Sequence, residues 1–174
     1  MPLFQQSVVA KYQAGLNQEQ LKSAWQRFEQ LFQNPIKQAN IRAAKEEQYQ
    51  EGFLTELFGQ VLGYTLNPQP HYNLTTEYKN ERDSKKADGA ILHNGSVRAV
   101  IELKGTDTTD LSKVQQQAFN YKNNQKGCTY VITANFEKLR FYINDATEYE
   151  EFNLFQLSEE RFALLWLCLQ KIIS

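Results

Sequence analysis

The chain has 174 residues, of which 41% are hydrophobic and 22% charged, a composition that excludes a disordered segment or a fibre and fits one soluble globular domain. A chain of this length can bury a core without disulfides or a structural metal. Its 19 basic and 20 acidic residues leave a formal net charge of -1, which excludes a protein that holds a polyanion through its overall field.

Apolar residues at helical spacing predict two helices in the first part of the chain. The first runs from Asn17, which suits an N-cap, to about Phe32, and Pro35 lies just beyond its end. The second is predicted over residues 39–62, and Gly63 follows it at a position that suits a C-cap.

From residue 72 onward, β-branched and aromatic residues predict a sheet. The predicted strands are residues 72–78, 87–92, 97–104, 129–134 and 139–143. One helix interrupts them at about residues 110–123, and a last helix follows at about residues 158–173. Because an antiparallel hairpin is followed by a strand that needs a helical crossover, this order predicts an α/β domain with a mixed central sheet flanked by helices.

The cysteines and the apolar runs indicate the cellular setting. Cys128 and Cys168 lie in apolar segments without other metal-binding side chains, so we expect two reduced, buried thiols. The first residues lack the pattern of a signal peptide, and the longest apolar run, residues 162–169, is too short to span a bilayer. We therefore expect a cytoplasmic protein without a membrane partner.

The predicted hairpin over residues 87–104 carries charges that strand packing alone does not require, namely Asp88, Glu102 and Lys104. With a two-residue turn, Asp88 would pair with Ile101 and face away from Glu102. A three-residue loop with Gly95 in a left-handed bulge instead pairs Asp88 with Val100. That register puts all three charges on one face, and the glycine permits it.

Grouped in this way, Asp88 and Glu102 form a hard oxygen site suited to Mg²⁺, with Mn²⁺ as a substitute. Lys104 would lie beside the metal, where it could position the attacking water or stabilise developing phosphorane charge. The chemistry would be metal-assisted phosphodiester hydrolysis. The alternative is a surface ladder of opposite charges, which contributes little to stability.

Two helices offer further site residues. Glu47 and Glu51 continue an otherwise apolar stripe of the second helix, so Glu51 could reach the metal, or it could be a partly solvated carboxylate. Gln117 and Tyr121 form an i, i+4 pair beside the apolar face of the helix that follows Lys104. They could orient Lys104 or hold a nucleic-acid backbone, but the tyrosine could equally be a packing residue.

These features resemble the PD-(D/E)xK nuclease superfamily: an acidic residue on a helix, Asp88, the Glu102-Leu103-Lys104 triplet and a following helix with Gln117 and Tyr121. More narrowly, the chain is similar to the N-terminal cleavage domain of type IIG restriction enzymes, which join a nuclease to a DNA methyltransferase. The segments that carry this likeness are KEEQYQEGFLTELFGQVLGYTLNP, NLTTEYKNERDSKKADGAI, VIELKGTDTTDL and YVITANFEKLRFY.

The resemblance implies a single nuclease domain, with an N-terminal helical extension (residues 1–38) and a restriction-endonuclease-like core (residues 39–174). It implies a Mg²⁺-dependent DNA endonuclease in which Asp88 and Glu102 bind the metal and Lys104 is the catalytic lysine. Glu51 is matched to the helical acid of the superfamily, with Glu47 as a competitor, and Gln117 completes the implied site. The superfamily's proline before the first Asp is replaced by an alanine in this sequence, which is a common departure.

The implied partner is double-stranded DNA, with a transient dimer as one way to cut both strands. No methyltransferase motif is found, so the resemblance implies a nuclease module whose methyltransferase and target-recognition domains belong to a longer parent protein. Basic residues before Asp88 could contact phosphates, or they could belong to a solvated loop of mixed charge; they are Lys79, Arg82, Lys85 and Lys86.

Two other functions remain open from the sequence. One is a free-standing repair nuclease of the same superfamily. The other is a non-catalytic DNA- or protein-binding module that keeps the fold. The non-catalytic module predicts that Asp88, Glu102 and Lys104 are scattered, or ion-paired with no room for a metal, whereas a nuclease predicts that they converge.

Overall fold

The computed structural model describes residues 3–80 and 85–173, which form an α/β fold around a six-stranded mixed sheet. The helices are α1 (Gln6–Ala14), α2 (Gln18–Phe32), α3 (Pro35–Ala43), α4 (Glu46–Phe53), α5 (Ser112–Asn123) and α6 (Glu159–Lys171). The strands are β1 (Leu74–Lys79), β2 (Lys86–His93), β3 (Ser96–Leu103), β4 (Tyr130–Ala134), β5 (Lys138–Ile143) and β6 (Tyr149–Asn153). The predicted fold class is confirmed.

The strands follow one another across the sheet in chain order. Strands β3 and β4 are parallel, and α5 provides the crossover between them, while the other neighbouring strands are antiparallel. Because β3 lies in the interior of the sheet, residues at its C-terminal end are flanked by β2 on one side and β4 on the other. Glu102, near the end of β3, is therefore enclosed by these two strands.

The first predicted helix is confirmed as α2, and the Asn17 side chain accepts a hydrogen bond from the backbone N–H of Gln20 at 3.0 Å. The second predicted helix is wrong as a single element. It is broken after α3 because Ala44 and Lys45 have extended backbone, and the backbone N–H of Lys45 donates to the Gln48 side chain, which caps a new helix. Beyond α4 the chain continues as a π-helix over Leu54–Val61.

Two elements were not predicted. Helix α1 was missed because its sequence carries almost no apolar periodicity, and in the structure none of its residues is buried. Strand β6 is an edge strand that carries two glutamates between its aromatic residues, and this charge hides the alternation of a strand. Glu150 of β6 is nevertheless buried. Its carboxylate accepts a hydrogen bond from the backbone N–H of Leu3 and contacts Arg161, which compensates its burial.

The sheet separates two hydrophobic cores. The larger core lies between the sheet, the N-terminal helices and α6, and its fully buried aromatic residues include Phe28, Phe32, Phe53 and Phe162. The N-terminal helices therefore share the main core with the rest of the chain. The smaller core lies between the sheet and α5. Both cysteines are free and buried, as predicted.

The helices are short or carry charge along their length. No helix within residues 3–80 and 85–173 is both long enough and apolar enough to cross a membrane.

Candidate active site

The turn of the β2–β3 hairpin differs from the three-residue loop that the sequence favoured. Asn94 and Gly95 have φ values of 51° and 79°, and His93 pairs with Ser96 across them. This is the two-residue turn that positive φ at both central residues permits. By itself, such a turn would have placed Asp88 opposite Ile101.

A bulge in β3 changes that register. The pairing runs from Leu92 with Val97 to Ile91 with Ala99, so Arg98 is an additional residue in β3. Beyond the bulge, Gly89 lies opposite Ile101, and the same register places Asp88 opposite Glu102. The two carboxylates therefore meet, as predicted, but through a bulge and not through a longer loop.

The three charges of the hairpin converge at the end of β3. The backbone N–H of Leu103 donates to Asp88 Oδ2 at 2.7 Å, which fixes this carboxylate against the neighbouring strand. The Lys104 Nζ lies 3.7 Å from Glu102 Oε1, and the lysine side chain keeps 31% of its surface exposed. Glu102 is 3% exposed, and its Oε2 has no hydrogen-bond partner.

The electrostatics of the pair favour a bound proton or cation. Burial, together with the nearby charge of Asp88, raises the pKa of Glu102 to about 8, although the Lys104 ammonium opposes the shift. Burial also raises the pKa of Asp88, although the backbone N–H of Leu103 and the charge of Lys104 oppose it. The folded chain therefore holds two carboxylates that resist ionising together.

This donor set fits a divalent cation of the Mg²⁺ type. Mg²⁺ takes one or two protein carboxylates and keeps several waters, and Asp88 and Glu102 are two carboxylates close enough for the charge of Asp88 to raise the pKa of Glu102. Across the described ranges, no cluster of three or more His, Cys, Asp or Glu residues could hold a metal. A cation here would therefore depend on waters or on substrate oxygens for most of its ligands.

The acidic residue of α4 that acts on the pair is Glu46. Its charge adds to the effect of burial in raising the pKa of Glu102. Glu46 is also close to Gly105. A methyl group added to that glycine would lie 3.6 Å from the Glu46 Cβ. Glu47 and Glu51 are exposed. Because five residues of an α-helix turn through about 140° beyond a full turn, Glu51 lies well away from the face that carries Glu46.

The π-helix affects the apolar stripe from which the sequence predicted that Glu51 lies on the buried face. The stripe that contained Glu51 was extrapolated from Leu54 and Phe58, which lie in the π-helical segment. A π-helix closes i→i+5 hydrogen bonds and advances less per residue around its axis than an α-helix, so Phe58 is out of phase with the residues of α4. The residues that share the buried face of α4 itself, Tyr49 and Phe53, are spaced by three and seven from Glu46.

The predicted pair on α5 forms as expected. Gln117 Nε2 donates to the Tyr121 hydroxyl at 3.4 Å. Gln117 is exposed, while Tyr121 packs in the smaller core with Ala90 and Val100. Tyr121 is therefore a packing residue, and a role for Gln117 at the site stays a prediction.

Glu77, to which the sequence pattern assigns no role, lies beside Asp88 on β1. The β1–β2 ladder pairs Thr76 with Gly89 and Tyr78 with Ala87, so Glu77 falls opposite Asp88. Glu77 has a φ of 51°, an uncommon value for a residue with a side chain. Its charge adds to the effect of burial in raising the pKa of Asp88. A single sequence carries no signal for such a backbone distortion.

A row of polar residues crosses the sheet at the level of Glu102. We call it the polar row, and it consists of Asp88, Glu102, Thr133, Arg140 and Glu151. Arg140 Nε donates to Glu151 Oε1 at 2.8 Å, and one of its terminal nitrogens donates to Ser112 Oγ at 3.0 Å. The guanidinium also lies 4.1 Å from the centre of the Tyr149 ring. Arg140 thus ties the start of α5 to the sheet.

The surroundings of the site include basic residues and a cleft. Lys79 and Lys86 are exposed and pair with each other across β1 and β2, whereas Arg82 lies outside the described residues. A polar cleft of about 440 Å³ opens beside Glu46, between the α3–α4 junction and residues 106–108. A second cavity of about 490 Å³ is apolar, lies between α1 and α6, and is lined by none of the candidate site residues.

Comparisons with known proteins give one distant likeness. The sequence matches no family model and no curated protein. Among solved structures, the chain is similar to one from Anabaena variabilis, described as a candidate nuclease of DUF820, with 14% sequence identity and a TM-score of 0.39. The likeness covers 71% of this chain and 82% of that chain. Function is therefore argued from the geometry of the site.

Proposed function

We propose that this chain is a divalent-metal-dependent nuclease domain that hydrolyses the phosphodiester bonds of double-stranded DNA. The observation that carries the proposal is the pair of Asp88 and Glu102, which have raised pKa values and lie beside Lys104. Two poorly hydrated carboxylates destabilise the folded chain unless a proton or a cation neutralises them. Such pairs are typical of functional sites.

The chemical roles follow from the positions of the side chains. Asp88 and Glu102 would hold Mg²⁺, or Mn²⁺ in its place, and the bound ion would supply Lewis acidity and a more acidic water. Lys104 is partly exposed, so its ammonium can reach a substrate phosphate or the attacking water and stabilise negative charge there. In this proposal Glu46 replaces Glu51 as the helical acid, and Gln117 contacts the DNA backbone.

The cross-strand lysines support an anionic substrate. Lys79 and Lys86 lie directly opposite each other, and like charges at such positions repel. A phosphate group bound between them would relieve this repulsion. Lys86 precedes Asp88 by two residues, a distance of about 7 Å along a strand, so a DNA strand that contacts the lysines can extend to the carboxylates.

We further propose that the chain is the cleavage module of a type IIG restriction-modification enzyme. The four similar sequence segments support this, as does a net charge of -1, which leaves most of the DNA affinity to other domains. In the parent protein, a methyltransferase and a target-recognition domain would follow, and a transient dimer would cut both strands. A gene without a methyltransferase region would instead favour a free-standing repair nuclease.

The first test is calorimetric titration of Mn²⁺ into the wild type, Glu102→Ala and Glu51→Ala at pH 8, with and without a short DNA duplex. We expect the wild type and Glu51→Ala to bind alike and Glu102→Ala to lose binding. Glu51→Ala is a matched control, because it removes an exposed carboxylate of α4. Equal binding by all three proteins, or none by any with DNA present, would overturn the metal site and favour a non-catalytic module.

The second test is nicking of supercoiled plasmid at low salt with Mg²⁺, since the isolated chain should bind DNA weakly. We expect slow nicking by the wild type and none by Lys104→Ala. Nicking that persists with a chelator present would contradict metal dependence.

A further inference from the structure

Thr133 of β4 is the neighbour of Glu102 in the parallel pair of β3 and β4. Paired residues of neighbouring strands point to the same side of a sheet, so the two side chains lie next to each other. Thr133 is fully buried, and its hydroxyl oxygen has no partner in hydrogen-bond geometry. Glu102 Oε2 is in the same condition, so two neighbouring buried oxygens lack partners.

These two atoms stand out from the rest of the described chain. Of the buried side-chain nitrogen and oxygen atoms in residues 3–80 and 85–173, only Tyr49 Oη otherwise lacks a partner. Buried polar groups are hydrogen-bonded in the great majority of cases, and an exception needs a specific explanation such as a water or an ion. Two exceptions side by side indicate one shared explanation.

The strand itself does not require a hydroxyl at position 133. The preceding residues of β4, Val131 and Ile132, are fully buried and apolar, and valine has nearly the shape of threonine. A valine would avoid the free-energy cost that an unpaired buried hydroxyl carries. The hydroxyl therefore lowers stability in the absence of a partner.

A charged neighbour of Thr133 is already engaged. Arg140 lies opposite Thr133 on β5, but its guanidinium binds Glu151 and Ser112. Glu102 is thus the neighbour with an unused oxygen. A hydroxyl donates well to a carboxylate, and that donation becomes strongest when Glu102 is ionised by a bound cation.

The hydroxyl of Tyr142 is a further polar group near Thr133. Burial raises the pKa of Tyr142, and both Arg140 and Thr133 oppose the shift, so the two hydroxyls lie near each other. The Tyr142 hydroxyl itself donates to Gln115 Oε1 at 3.5 Å, which is a long hydrogen bond. The single proton of Tyr142 is therefore used on Gln115, and the contact between the two hydroxyls falls outside hydrogen-bond geometry, so the proton of Thr133 is free for Glu102.

We propose that Thr133 is a positioning residue for the metal site. Its hydroxyl donates to Glu102 Oε2 through one enclosed water, because the two atoms are not in direct hydrogen-bond geometry, and holds the carboxylate so that Oε1 faces Lys104 and the metal. The inference rests on the proposed function, since it assigns a supporting contact to the same site. Outer contacts that orient metal ligands typically change metal affinity by about 10–100-fold.

The test compares Thr133→Val, Thr133→Ser and the control Thr129→Val, which changes the same residue type four positions earlier, outside the polar row. Mn²⁺ affinity is measured by calorimetry at one pH, and the thermal midpoint is measured with a chelator. We expect Thr133→Val to bind Mn²⁺ about 10-fold more weakly, because it lacks the donor. Thr133→Ser and Thr129→Val should bind like the wild type.

The thermal midpoint separates positioning from structural support. Thr133→Val removes an unpaired buried hydroxyl, so its midpoint without metal should equal or exceed that of the wild type. A lower midpoint with unchanged Mn²⁺ affinity would show a structural role and overturn the inference. Equal weakening in Thr133→Ser would do the same, because the hydroxyl would then be irrelevant.

Failure of the proposed function would look different. If the wild type bound no Mn²⁺ even with DNA present, the metal site itself would be wrong, and the role of Thr133 with it. If the wild type and Thr133→Val bound Mn²⁺ equally, the metal site would stand and only the role of Thr133 would be overturned.

Discussion

The two ends of the polar row both hold charged side chains, but opposite charges are paired at one end and two acids are neighbours at the other. At one end, Arg140 and Glu151 form a close ion pair, and Ser112 and the Tyr149 ring complete the surroundings of the guanidinium. At the other end, Asp88 and Glu102 are two acids with raised pKa values, and one oxygen is unpaired.

The comparison shows which polar residues the fold needs. A buried cation with a matched anion and a hydroxyl acceptor holds α5 on the sheet and favours the folded chain. Two neighbouring buried acids oppose folding, so their presence requires another benefit, and the proposed cation binding would provide one. The stabilising end and the functional end can therefore be separated by mutation.

The largest expected effect is on catalysis at the acidic end. Lys104→Ala should reduce plasmid nicking about 1,000-fold, because it removes the cation that would stabilise charge on the phosphate. The thermal midpoint should not change, since Lys104 is partly exposed and its contact with Glu102 is long, at 3.7 Å. Nicking at the wild-type rate would remove Lys104 from the mechanism.

A second prediction concerns the pH dependence of stability without metal. Glu102 has an ordinary pKa of 4.5 and a folded-state pKa of about 8, so the folded chain binds more protons between these values. The contribution of Glu102 to stability should therefore be full below pH 4.5 and fall by about 5 kcal/mol as the pH rises to 8.5. Glu102→Gln should lack this loss. Denaturant unfolding at pH 5 and 8.5 with a chelator measures both proteins, and parallel profiles would contradict the raised pKa.

Substitution of Arg140, at the opposite end of the polar row, should lower the stability of the folded chain. Arg140→Met should lower the free energy of unfolding by about 1 kcal/mol, because the guanidinium loses its contacts with Glu151 and Ser112, both of which stay in contact with solvent. Urea unfolding measures this change. Lys104→Met is the matched control, and it should differ from the wild type by no more than about 0.5 kcal/mol. Similar losses in both variants would remove the contrast between the two ends.

The smallest expected effect distinguishes two acids of α4. Glu46→Gln should reduce nicking about 10-fold, because the charge of Glu46 acts on the carboxylate pair. Glu51→Gln should have no effect, since Glu51 is exposed on another side of the helix. The two variants are compared in one plasmid assay. A reversed order would restore Glu51 as the helical acid.

Local patterns were sufficient for several features. The N-cap at Asn17, the β-branched strands and the i, i+4 pair of Gln117 and Tyr121 depend on residues that are close in sequence. The convergence of Asp88 and Glu102 was also predicted, but from a three-residue loop that the structure does not contain. The register that achieves it was not, since a bulge at Arg98 depends on how the whole sheet twists and pairs.

The sequence by itself determined the α/β class, most of the strands and the three charged hairpin residues of the candidate site, because periodicity and residue type express these properties locally. Tertiary structure alone brought Glu46 close enough for its charge to act on the pair and left Glu51 exposed. It also decided that Thr133 stands beside Glu102, since the two residues meet only when β4 pairs with β3. Contacts between distant segments depend on packing, which no local pattern encodes.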